Sequence, residues 1–136
     1  MSAPIDLLGL YLHLARAATL RKRWLVSDRF LVLAAALAEQ IQLSPIAEHC
    51  RLQVLAHNPG HMLARWPTLA AALAEPDFLS LLNQLLRRYN REKAEQLLQS
   101  LGVERGAERA VYYTDGEYAA GLLGVSWEQL VQQFGS

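Results

Sequence analysis

Cysteine is almost missing from this 136-residue chain: the single one, Cys50, excludes an intramolecular disulfide. No Asn-X-Ser/Thr triplet marks a glycosylated surface. The two absences together point to a reducing compartment, and the cytoplasm is the expected location. Charge of one sign is also lacking, since 13 Lys and Arg balance 13 Asp and Glu. That balance removes any whole-chain argument for a polyanionic partner, so only local patches can argue for one.

Long apolar runs are missing too. The stretch 7–15 is too short to span a bilayer. Asp6 precedes it and the basic residues follow it, the reverse of a secretory leader, so it reads as a packed amphipathic helix and no membrane partner is expected. No glycine-rich phosphate loop, paired-carboxylate motif or serine elbow occurs, so no catalytic residue and no cofactor are expected. Cys50 stands beside His49, but neighbours on a helix point about 100° apart, and with Ile46 and Val54 the thiol belongs to an apolar stripe. His49, Gln53 and His57 share a helix face, whereas Pro59 and Gly60 take His61 out of that register. No metal site is expected from the histidines.

What the chain has in quantity is leucine and alanine, with few β-branched residues, and 52% of it is apolar. The expected class is all-α: one domain, a compact bundle of about six or seven helices. Leu7, Leu8, Leu10, Leu12 and Leu14 give the first helix a broad apolar face. Ser27 is a plausible cap for a second helix that is apolar on almost every side and should form the core's axis. Ser44 should cap the third, with Pro45 at its first position and Asn58, Pro59 and Gly60 closing it.

Phe78, Leu81, Leu82, Leu85, Leu86 and Tyr89 then lie at i, i+3, i+4, i+7, i+8 and i+11. Asn90 should cap a further helix ending at Gly102, the two forming an antiparallel hairpin. The segment "LAAALAE" occurs at 33–39 and 69–75, but the flanks do not align, and chance recurrence of helix formers accounts for it. Domain organisation is read as a helical body over 1–103, a connector over 104–115 with a short extended piece at 111–113, and a C-terminal helical hairpin over 116–136. About twenty residues cannot hold a core alone, so the hairpin should dock on the body or on a partner.

Within that hairpin, Ala119, Ala120, Leu122, Leu123, Gly124, Val125, Ser126 and Leu130 resemble the A-A-x-L-L-G-V-S-x-x-x-L pattern of Fis-type helix-turn-helix segments. The alanines let two helices approach, Gly124 permits a left-handed turn, Val125 and Leu130 fill the crease, and Ser126 caps the second helix. The resemblance implies a second helix placed in the major groove of DNA. Charge opposes it: from Thr114 onward there is no Lys or Arg, while Asp115, Glu117 and Glu128 are acidic.

Basic residues gather in two other places. Arg16, Arg21, Lys22, Arg23 and Arg29 surround Trp24, and Arg87, Arg88, Arg91 and Lys93 follow the best-patterned helix. Each cluster lies at a helix end, where the dipole favours cations, and Arg91 can pair with Glu95. If both face one way they make a nucleic-acid surface, with the hairpin as accessory. The leading expectation is a helical protein-interaction or scaffold domain that binds a protein partner or its own copy. Trp66, Tyr112, Tyr113, Tyr118 and Trp127 are its candidate anchors.

Overall fold

Three long helices form the centre. Helix α1 spans Pro4–Leu20, α2 Trp24–Gln40 and α3 Ser44–His57. A 3-10 turn at Met62–Arg65 and the single-turn α4, Leu69–Ala72, lead to α5, Pro76–Arg88, and α6, Arg91–Ser100. A second 3-10 turn at Glu108–Val111 precedes α7, Asp115–Leu123, and α8, Trp127–Phe134. This computed structural model describes residues 4–103 and 108–135, and among them the fold is all-helical, with eight α-helices and no strand.

Helix α2 is the axis. It packs against α1, α3, α4 and α5, and an unbroken run from Phe30 to Ala36 is buried. Ala34, Ala35 and Ala38 have no exposed surface, and small side chains at those positions let the neighbouring helices come close. Phe30 lies between two tyrosines, 4.7 Å from the ring of Tyr89 and 6.4 Å from that of Tyr11. The buried Tyr11 hydroxyl donates to the Tyr89 carbonyl at 2.7 Å, satisfying an acceptor at the end of α5. None of the helices is long and apolar enough to cross a membrane among the described residues.

Several boundaries differ from the sequence reading. Ser27 is not a cap: α2 begins a turn earlier at Trp24, and the Ser27 hydroxyl is buried against that of Thr19 at 2.8 Å. The chain can restart so soon because Lys22 takes a left-handed φ of 57°, with Lys22 N–H donating to Thr19 and Arg23 N–H to Ala18, both at 2.9 Å. This hydrogen-bond pair closes a helix in one residue. Helix α3 likewise starts one residue early, with Ser44 inside it.

The hairpin expected of α5 and α6 does not form. Helix α5 sends Phe78, Leu82 and Leu85 into the core against α2, while α6 sends Ala94 and Leu98 toward α1. The buried part of each stripe faces a different central helix, while Leu86, Leu97 and Leu101 stay exposed. The stretch expected to be extended at 111–113 is instead the end of a 3-10 turn followed by bends.

The C-terminal pair packs on the body, α7 on α1 and α8 on α3. Gly124 has the left-handed φ of 73° that its turn requires, and the Ser126 hydroxyl caps α8 by accepting from Gln129 N–H. Two close approaches lock the pair. The ring of Tyr118 lies directly over Gly9 of α1, and that of Trp127 over Gly116 of α7, where an added Cβ would fall 2.6 Å from its carbons. Leu130 is 3% exposed beneath α8.

Candidate partner-binding pole and histidine cleft

The five candidate aromatic anchors do not form one surface. Tyr118 is buried at 4% exposure, so its ring packs within this fold rather than being open to a partner. Tyr112 and Trp127 are half-buried around α7, with the Tyr112 ring 5.9 Å from that of Tyr118. Trp66 lies elsewhere, half-buried against Phe78 with the Arg65 guanidinium 5.9 Å above its ring. Only Tyr113, at 95%, is fully open.

The basic clusters are partly united. At the turn from α1 to α2, Arg21, Lys22 and Arg23 are exposed, and Arg21 Nη1 donates to the Ala17 carbonyl at 3.2 Å, satisfying the end of its own helix. Arg21 and Arg23 border a groove of about 230 Å³. Leu14 and Ala18 of α1 and Val26 and Phe30 of α2 contribute to it, together with Tyr89, Leu97 and Leu101. The Arg88 guanidinium stacks 5.3 Å above the same Tyr89 ring, so the second cluster approaches the groove through Tyr89 while Arg21 and Arg23 of the first border it.

The remaining basic residues do other things. Arg91 pairs with Glu95 at 3.6 Å, Lys93 and Arg87 are exposed on α6 and α5, Arg29 is half-buried on α2, and Arg16 faces a different cleft. What the sequence reading missed is the apolar surface among the cations. Leu20 is 73% exposed and Leu25 69%, with Trp24, Leu97 and Leu101 also open. No periodicity marks Leu20 and Leu25, because the left-handed Lys22 between them breaks the helical register.

The second concavity, about 340 Å³, lies between α1, α3 and the α7–α8 turn. His49, Gln53 and His57 line it from α3, and Arg16 and Thr19 from α1. His57 Nδ1 lies 2.7 Å from Oδ1 of Asp28, a carboxylate only 5% exposed, and the Trp24 ring packs 5.0 Å from the imidazole. A buried carboxylate needs such a partner, and this one comes from 29 positions away. His61 Nδ1 accepts from Leu63 N–H at 3.1 Å and caps the 3-10 turn. Burial pushes the His61 imidazole below its ordinary pKa, partly opposed by the Asp28 charge, and burial alone pushes His49 down. Both rings are therefore neutral at neutral pH. Cys50 has no exposed surface, and burial pushes its thiol up to about 12, so it is a core side chain and no thiolate nucleophile.

The α7–α8 pair has the turn geometry of the resemblance but not its charge. The open face of α8 presents Glu128, Gln129, Gln132 and Gln133, with no cation on either helix. The chain matches no protein-family model, no curated protein and no solved structure.

Proposed function

We propose that this chain is a protein-interaction domain whose pole at the α1–α2 turn receives an acidic, amphipathic helical segment of a partner. The observation that carries this reading is the interleaving of Leu20, Trp24 and Leu25 with Arg21, Lys22 and Arg23, beside an apolar groove. Exposed leucines of this size have no use against a phosphate backbone, which is met by cations and polar groups, whereas a helix carrying leucines and carboxylates matches both parts of the pole. The balanced net charge fits a local patch better than a nucleic-acid surface.

The test is fluorescence anisotropy with a labelled 20-residue helical peptide of leucines and glutamates in an amphipathic pattern. A scrambled peptide of the same composition and a single-stranded oligonucleotide serve as controls. The patterned peptide should bind, weaken as salt rises, and lose affinity in an Arg21→Glu/Arg23→Glu variant. Tighter binding of the oligonucleotide than of the peptide would transfer the pole to nucleic acid.

A specific observation also supports self-association. Val111 at 78% and Tyr113 at 95% are exposed beside the acidic segment that begins at Thr114, where Arg109 pairs with Asp115 at 2.6 Å and Glu117 and Glu128 remain. Tyr118 sits at Gly9 while 121–125 share a cleft with 12–20, so α7 runs along α1 in the same direction. Tyr113 is therefore displaced toward the opposite end of α1 from the basic pole. A head-to-tail contact of this kind closes into a ring or runs on as an open chain, and sedimentation velocity at low salt would show sizes rising with concentration.

A further inference from the structure

We infer that the cleft between α1, α3 and the α7–α8 turn, which shares Leu20 with the edge of the basic pole, is a binding site for a small apolar carboxylate. Its volume of about 340 Å³ is within the range of small-molecule sites. At the roughly 30 Å³ that one water occupies in the liquid, it holds on the order of ten heavy atoms. Its lining is mixed: Leu12 of α1 and Leu122, Leu123 and Val125 at the hairpin turn are apolar, while Arg16, one turn beyond Leu12, and Gln53 and His57 of α3 are polar. A ligand matched to both kinds of lining is amphipathic.

Charge decides the class. Arg16 makes no ion pair among the described residues, so its forked donors are open to a ligand. The nearby Asp28 carboxylate does not compete, being buried on His57. His49 is held neutral by burial, and no second Lys or Arg lines the cleft. Arg16 lies in the second half of α1 and His57 ends α3, where the helix dipoles are negative. A single guanidinium in that setting suits a monoanion, which it grips by two parallel hydrogen bonds. Asp28 and Trp24 hold the His57 ring of this lining from two sides.

Octanoate, with ten heavy atoms, is the probe, and methyl NMR of the full chain is the readout, with octanol and octyltrimethylammonium as controls. Octanoate should shift the Leu122, Leu123 and Val125 methyls saturably, and both controls should bind at least about tenfold more weakly. Arg16→Gln should lose at least about tenfold in octanoate affinity while its melting temperature stays at the wild-type value, and Arg16→Lys should retain part of the affinity. Octanol binding as well as octanoate, an unaltered affinity in Arg16→Gln, or shifts confined to Leu97 and Leu101 would each overturn the assignment. So would the absence of any saturable shift.

Discussion

Replacing Gly9 with Ala puts two opposed effects on one methyl group. On an open helix the change is favourable by about 1 kcal/mol, because glycine gives up more backbone freedom than alanine. Here the added Cβ would overlap the Tyr118 hydroxyl and lie 3.1 Å from two carbons of its ring. That ring is 4% exposed and wedged between α1 and α7, so it cannot swing away as a surface side chain would. Overpacking of this kind costs about 1–3 kcal/mol. The net result is a destabilisation of about 1 kcal/mol, or a melting temperature lower by roughly 3–5 °C for a chain of this size. Urea unfolding followed by circular dichroism measures it. The decisive arm is the Tyr118→Phe background, which removes the nearest atom: there Gly9→Ala should cost little or become stabilising, with a coupling of about 1–2 kcal/mol across the double-mutant cycle. If Gly9→Ala stabilises both backgrounds equally, Tyr118 does not seat on Gly9 and this account of how the hairpin is held fails.

Leu130→Ala should cost about 2–5 kcal/mol, since Leu130 is 3% exposed where α8 packs on α3. A midpoint that does not move in thermal unfolding would make α7 and α8 a loosely tethered module. Cys50 should resist a thiol reagent in the folded protein at pH 8 and react at once in urea, because its thiol is buried and pushed up to about 12. His49 and His61 have folded-state pKa values below their ordinary one, so the unfolded chain takes up protons that the fold resists. Stability present above about pH 6.5 should be lost as pH falls through the depressed folded values, and His49→Gln should flatten that slope in urea titrations at several pH values.

The all-helical class was legible because leucine and alanine recur at helical spacing through most of the chain. The turns at Gly102 and Gly124 were legible for a local reason, as glycine takes a positive φ without strain. The same turn occurs at Lys22 and Gln42, where Arg23 N–H reaches Ala18 and Leu43 N–H reaches Ala38, and there no residue type announces it. Tertiary packing of α1, α2 and α3 imposes those two turns, so reading Ser27 as a cap misplaced the start of α2. The α5 stripe was legible as a stripe, but its pattern could not say whether it faces α6 or α2.

The site was less legible than the fold. The basic clusters could be read, yet their meeting around Tyr89 depends on contacts between α1, α2 and α6. The Asp28–His57 pair spans 29 positions, and the seating of Tyr118 on Gly9 spans most of the chain. Neither has any local signature.

The central claim, that the α1–α2 pole is the docking surface, is tested most directly by amide and methyl NMR shifts during titration with the acidic amphipathic peptide. The account predicts saturable shifts at Leu20, Arg21, Trp24, Leu25, Leu97 and Leu101, lost in the Arg21→Glu/Arg23→Glu variant while the rest of the spectrum stays folded. Shifts that leave those residues still and gather on α8 or around Trp66 would contradict it, as would saturation with no change anywhere at the pole.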